Sequence, residues 1–218
     1  MKVAIAGGGS VGRSITRELL AKHHEVLLID KDPRKIQPER VEGAKFLLAD
    51  ACEVSNLEEA DLQQYDVVIG ATGDDKVNLV VSLLAKTEFS VKRVVARINH
   101  PANEWLFTEA WGVDVAVSTP RVLASLVEEA VEVGDLVRLF GIRDGQANLL
   151  ELTLPDTAPC NGRAIRDLNL PKDATLVAVV RGARVITPGP DEPLEGGDEL
   201  LFVALPETED ALRASVLG

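Results

Sequence analysis

The chain has 218 residues, 46% of them hydrophobic, and a formal net charge of −12. That length suggests one large domain or two small ones, and the acidic balance argues against a nucleic-acid partner, whose phosphates need clustered Lys and Arg. Cys52 and Cys160 lie far apart without histidine partners, which argues against a disulfide framework or a zinc site.

The first stretch, Lys2 to Asp30, reads KVAIAGGGSVGRSITRELLAKHHEVLLID. Lys2 to Ala6 is a short apolar run of strand type. Gly7, Gly9 and Gly12 follow as G-x-G-x-x-G. Ser10 to Lys22 has helical spacing, with Val11, Ile15 and Leu19 four apart, and Val26 to Ile29 is a second apolar run closed by Asp30. This predicts a βαβ unit with its glycines in the strand-to-helix turn, the frame of a dinucleotide site. Gly7 permits the tight turn, Gly9 lets backbone approach a pyrophosphate, and Gly12 lets helix and strand pack closely. The helix start at Ser10 and Val11 offers N–H groups and a positive dipole end to phosphate. Asp30 can accept from both ribose hydroxyls.

Beyond Asp30 the spacing predicts a short polar helix or turn over 33–40 and a strand over 45–49, ending in Asp50-Ala51. A short acidic helix over 54–62 and a strand over 66–69 follow. That strand ends in Gly70-Ala71-Thr72-Gly73, small residues where the chain passes close to a ligand. Asp74-Asp75 caps a helix over 75–86 whose apolar residues go nearly all round, so it is buried on more than one side. A strand over 92–98 carries Arg97, a helix opens with Pro over 101–111, and a sixth strand spans 113–117. Six strands alternating with helices predict a Rossmann-like, doubly wound parallel sheet of order 3-2-1-4-5-6.

A helix over 119–133 comes next, with Thr119 as cap, Pro120 at the first position and Gly134 as stop. Its stripe of Val122, Leu123, Leu126, Val127, Ala130 and Val131 needs a covering surface: a partner subunit, or the domain's own sheet. From Leu136 the texture changes to short strand-like runs over 149–154, 175–180, 183–186 and 199–204. They are broken by turn signals at Asp144-Gly145, Asn161-Gly162, Pro188-Gly189-Pro190 and Gly196-Gly197-Asp198. One or two helical turns over 163–168 and a terminal helix over 208–216 complete a smaller α+β domain. The boundary is placed between residues 134 and 135. Met1 leads straight into a strand, with no signal peptide, and no apolar run reaches the roughly twenty residues of a membrane helix. A soluble cytoplasmic protein is expected, without direct membrane insertion.

A dinucleotide frame suggests a dehydrogenase first, but hydride transfer needs an acid–base group placed by a substrate domain. His23 and His24 fall in the turn after the first helix, His100 reads as a loop-capping residue, and the second domain has no histidine. This lowers the enzyme reading, although a small NAD(P)-dependent oxidoreductase stays as the alternative. Asp50 and Ala51 fall where adenine or its ribose would lie. Thr72, Gly73 and Asp75 face the glycine turn. Arg13 either reaches a terminal phosphate or is an exposed helix residue, and Arg97 either faces the ligand crevice or pairs with Asp74 or Asp75.

The GGGSVG turn with Arg13, the LLID ending in Asp30, Ala49-Asp50-Ala51, ATGDDKVNL at 71–79, VVARI at 94–98 and GVDVAVSTP at 112–120 stand in an order that carries a resemblance. NGRAIRDLNLP at 161–171 and LEGGDELLFVA at 194–204 extend it into the second domain. The chain resembles Trk-type potassium-uptake regulatory subunits, with one RCK nucleotide-binding domain and one RCK C-terminal domain. It departs at Ala49, where the family usually has Gly, and some relatives carry the two-domain unit twice. The resemblance implies a regulatory ligand, NAD(H) or ATP/ADP, that is not turned over. Its site would comprise Gly7, Gly9, Ser10, Val11, Gly12, Arg13, Asp30, Lys31, Asp50, Ala51, Thr72, Gly73, Asp75 and Arg97, with no metal. It also implies homodimers assembling into a tetramer or ring on the cytoplasmic face of a membrane-embedded potassium transporter subunit.

Overall fold

A computed structural model describes residues 1–131, 133–142 and 146–218; the side chains of Glu129 and Ala130 fall outside that description, as does the turn expected at Asp144-Gly145. The chain divides into two compact units, Met1–Pro120 and Arg121–Gly218.

The first unit is a six-stranded parallel sheet in the expected order, β3-β2-β1-β4-β5-β6. Its strands are β1 (Lys2–Ala6), β2 (Glu25–Asp30), β3 (Lys45–Leu48), β4 (Val67–Gly70), β5 (Arg93–Ile98) and β6 (Val115–Ser118). β1 lies centrally, pairing Ala6 with Ile29 on one side and with Gly70 on the other. The two sheet faces are covered separately. Ile5 and Leu28 pack beneath α1 (Ser10–Ala21) with Ile15 and Leu19, while Ala4, Ile29 and Val68 pack with Leu57 of α2 (Val54–Glu59) and with Val81 and Ala85 of α3 (Asp75–Thr87). α3 is buried on several sides, as its all-round apolar pattern requires, and it carries Asn78 and Ser82 at 0% exposure.

Two predicted helices are shorter or different. The 54–62 helix stops at Glu59, because Asp61 takes a left-handed φ of 51° and a 3₁₀ turn, Leu62–Gln64, follows. The 101–111 segment forms two 3₁₀ pieces, Pro101–Leu106 and Glu109–Trp111. The extended break between them sends Phe107 into a buried cluster with Leu79, Ile98 and Val113, and burying that ring outweighs continuous helical pairing.

α4 spans Thr119–Val131. It begins at Thr119, whose hydroxyl accepts from Arg97 Nε at 3.1 Å. Val122, Leu123, Leu126, Val127 and Val131 are all exposed.

The second unit is an antiparallel sheet of order β10-β9-β11-β8-β7. Its strands are β7 (Val137–Ile142), β8 (Ala147–Thr153), β9 (Ala174–Arg181), β10 (Arg184–Ile186) and β11 (Glu199–Ala204). The sequence reading missed β7, an edge strand whose Arg138, Phe140 and Gly141 are exposed and show no full alternation. Leu150, Leu152, Leu200 and Phe202 form the core with Leu212 and Val216 of α5 (Glu209–Leu217). The 163–168 segment is one 3₁₀ turn, Ile165–Asp167. The Glu195–Asp198 turn is locked from inside. Asp198, fully buried, accepts from Arg181 Nε and Nη2 at 2.7 and 2.9 Å and from the Glu195 N–H at 2.8 Å.

Candidate functional site

The carboxyl ends of β1, β2, β4 and β5 gather most of the candidate residues. After β1 the chain turns at Gly7, whose φ of +118° is a glycine conformation, and a Cβ there would stand 2.9 Å from the Ala71 backbone. A Cβ on Gly12 would overlap the Gly7 carbonyl, so the closeness of α1 to the turn depends on both glycines. At Gly9 the case is opposite: a Cβ would meet nothing within 4 Å. Gly9 is the N-cap and supplies no side-chain bond. Ser10, Val11 and Gly12 therefore carry the orphan N–H groups of a helix N-terminus, with open space before them. Such an arrangement suits a phosphate or pyrophosphate.

Asp30, at the end of β2, is 9% exposed. Its Oδ2 accepts the Gly8 N–H at 2.8 Å and its Oδ1 accepts the Asp32 N–H at 2.9 Å, while Lys35 Nζ stands 3.5 Å from Oδ2. A carboxylate has about four lone-pair sites, so capacity for ribose hydroxyls remains. Lys31 turns away to Asp50 at 3.0 Å. The Cys52 N–H and that ammonium hold the Asp50 carboxyl below the usual carboxylate range. Ala51 is 7% exposed and packs with Leu57 and Leu62, so a ligand would meet its backbone and not its methyl group.

The other half of the edge is internally bonded. Asp75 is 5% exposed. It accepts from Asn99 N (2.7 Å), Asn99 Nδ2 (2.9 Å), His100 N (3.0 Å) and Asn103 Nδ2 (2.8 Å). Burial pushes its pKa up, but the bonds from Asn103, Asn99 and His100 outweigh burial and hold the carboxyl below its ordinary range. Asp75 thus clamps the loop after β5. Asn78 accepts from Thr72 N and Oγ1 at 2.9 and 2.7 Å and donates to the Arg97 carbonyl at 2.8 Å. Gly73 is exposed with open space at its α-carbon. Arg97 meets Thr119 as described, and Asp75 is taken by amides, so the alternative pairing of Arg97 with Asp75 is not what the structure shows. Arg13, half-buried, donates to the Gly8 carbonyl and stays at the glycine turn.

Sequence reasoning missed Gly8, Lys35, Asn78 and Asn99. Asn78 had a signal: a lone amide in an otherwise apolar helix is costly unless bonded. The central glycine of Gly7-Gly8-Gly9 was a second, since the G-x-G-x-x-G spacing leaves that position free and it is still glycine. Among the described residues no cluster of His, Cys, Asp and Glu is placed to hold a metal ion, and no helix is long and apolar enough to cross a membrane.

Residues 3–119 match the TrkA-N domain model and residues 149–217 the TrkA-C domain model. The chain is 61% identical over 217 residues to the Trk system potassium uptake protein TrkA of Mycobacterium tuberculosis H37Rv, covering 100% of this chain and 99% of that one. The chain belongs to the TrkA family. It is also 32% identical over 208 residues to TrkA of Halomonas elongata, covering 93% of this chain and 45% of that longer protein. Among solved structures, this TrkA-family chain is similar to the GsuK channel bound to NAD, with TM-score 0.70 and 17% identity. That match covers all of this chain and 39% of the channel chain. GsuK bound to ADP matches 62% of this chain and 35% of its own, with TM-score 0.54 and 17% identity. At such identity these two likenesses speak for the fold alone. The first, which covers the whole chain, agrees with the parallel sheet and smaller companion domain read from the sequence.

Proposed function

We propose that this TrkA-family chain is a cytoplasmic, nucleotide-binding regulatory subunit that gates a membrane-embedded potassium uptake transporter. The observation that carries the proposal is the uncapped N-terminus of α1, with clear space at Gly9, on the same sheet edge as the buried Asp30 carboxylate. Family membership supplies the potassium-uptake context, since the relatives are named Trk system potassium uptake proteins. The ligand is NAD(H) or ATP/ADP, held by the glycine turn and Asp30 and not turned over. A ligand of this kind acts only through its different affinity for two arrangements of the assembly.

Titration with NADH, NAD, ATP and ADP, read by calorimetry and thermal shift, tests the proposal. NADH should bind better than NADPH, because Asp30 repels a 2′-phosphate. Asp30→Ala should cost about 1–3 kcal/mol of affinity through a lost charge-assisted ribose bond. Steady turnover of NADH with any substrate would favour the oxidoreductase alternative. The exposed stripe on α4 supports a homodimer, assembling further to a tetramer or ring. Leu126→Asp with Val127→Asp should lower the mass in solution to that of a monomer. A wild-type chain that is already monomeric at micromolar concentration would remove the stripe from that role. We retain residues 1–134 as the nucleotide-binding half and 135–218 as the C-terminal half.

A further inference from the structure

The turn after β2 carries three cations within five residues of Asp30, and they are not equivalent. Lys31 is bonded to Asp50 at 3.0 Å. Arg34 is bonded to Asp32 by Nε and Nη2, both at 2.9 Å, with its side chain 87% exposed. Lys35 is the third. Its Nζ lies 3.5 Å from Asp30 Oδ2, the longest of these pairings, and its side chain is half exposed. It is the cation nearest the proposed ribose carboxylate and the least committed to another partner.

The position of Lys35 is built into the glycine turn. A Cβ on Gly8 would come within 3.1 Å of the Lys35 carbonyl and 3.3 Å of Lys35 Cβ and Asp30 Cβ. The Gly8 N–H is bound to the same Asp30 oxygen that faces Lys35 Nζ. The middle glycine thus lets the turn after β2 lie against it, and it sets the ammonium beside the carboxylate.

We propose that Lys35 is a specificity-determining residue of the ribose subsite, the cation that softens the discrimination of Asp30 against a nucleotide phosphorylated on the adenosine ribose. The inference rests on the proposed nucleotide site. Asp30 sets the preference for a free 2′-hydroxyl, and Lys35 limits its size. When a 2′-phosphate meets this edge, the ammonium moves from the buried carboxylate to the dianion, which attracts it more strongly. With a free hydroxyl, Lys35 stays on Asp30 and contributes little.

The test is calorimetric titration of the full chain with NADH and NADPH at low ionic strength, since exposed charge pairs are screened by salt. In Lys35→Ala, NADPH affinity should fall about three- to fivefold while NADH stays within about twofold, the scale of a solvent-exposed charge pair. Lys35→Glu should widen the gap further. Arg34→Ala, altering the neighbouring cation bound to Asp32, should leave the NADPH-to-NADH ratio unchanged. An equal loss for both ligands in Lys35→Ala would make Lys35 a general support of the turn and overturn the proposal. So would an unchanged ratio. If the wild-type chain binds neither dinucleotide nor ATP or ADP, the nucleotide reading itself falls, and this inference with it.

Discussion

The two halves of one sheet edge are built on opposite principles. Around β1 and β2 the backbone is held tightly, by Gly7 against Ala71 and by Gly12 against Gly7, while the space in front of Gly9 is clear. Around β4 and β5 the polar side chains turn inward. Asp75 takes four bonds from the loop after β5, and Asn78 joins Thr72 to Arg97. The first half presents donors outward, and the second spends its polar groups on holding the floor beneath them. A carboxylate near a crevice is therefore not by itself a ligand contact: Asp30 and Asp75 are similarly buried, yet four own-chain donors already engage Asp75.

The largest expected effect comes from closing the first half. In Gly12→Ala the new methyl would overlap the Gly7 carbonyl, and Gly7 itself has no room for a Cβ beside the Ala71 backbone. Neither side can yield without opening the turn. A stability loss of about 3 kcal/mol is expected, at the upper end of overpacking costs. Urea denaturation measures that loss, and titration should show nucleotide binding gone. A variant that binds with wild-type affinity would mean that the turn is softer than its contacts imply.

The second half should break differently. Asp75→Asn keeps one acceptor and sets an NH₂ group against donors from His100 N or Asn103 Nδ2. A loss of about 1–3 kcal/mol is expected from the unpaired donors. Nucleotide affinity should stay within a few-fold, because Asp75 acts on the loop. The pH dependence has a definite sign. The Asp75 pKa is lower in the folded chain than its ordinary value, so its contribution is complete above about pH 4, where an unfolded Asp is ionised, and is lost as pH falls through the folded value. The stability gap between wild type and Asp75→Asn should therefore be full at pH 7 and narrow below about pH 4. A gap that widens in acid would contradict the clamp.

The contrast also explains what could be read in the sequence. The sheet order was legible from six strands alternating with helices, and Gly7, Gly9, Gly12 and Asp30 were legible because one βαβ unit fixes their spacing in the sequence. Asp75 was legible as an acid near the edge but not as a clamp. Its partners, Asn99, His100 and Asn103, lie more than twenty residues on, and no short-range pattern reports them. The 3₁₀ pieces over 101–111 were hidden for the same reason. Phe107 turns inward to meet Leu79 and Ile98, a tertiary demand that overrides a helix-compatible stretch. Lys35 escaped notice because its value lies in a turn docked on Gly8, visible only once the glycine turn and the segment after β2 are seen together.

The smallest effect separates the two halves most finely. Arg13 stands on the first turn of α1 and donates to the Gly8 carbonyl, so it belongs to the open half even though its guanidinium already has a partner. A terminal phosphate beyond the pyrophosphate would draw it off that carbonyl, exchanging a neutral acceptor for a charged one. Because one bond is given up as another is made, the net gain is smaller than a full charge-assisted bond, about 1 kcal/mol. Arg13→Ala should accordingly weaken ATP by about fivefold and leave ADP and NAD within about twofold. Its melting temperature should hardly change, since a half-buried arginine on the helix surface adds little to the core. Parallel calorimetry with the three nucleotides decides the matter. An equal loss for all three would make Arg13 a support for the glycine turn through Gly8. No loss at all would leave the backbone N–H groups of Ser10, Val11 and Gly12 to hold the phosphates without it.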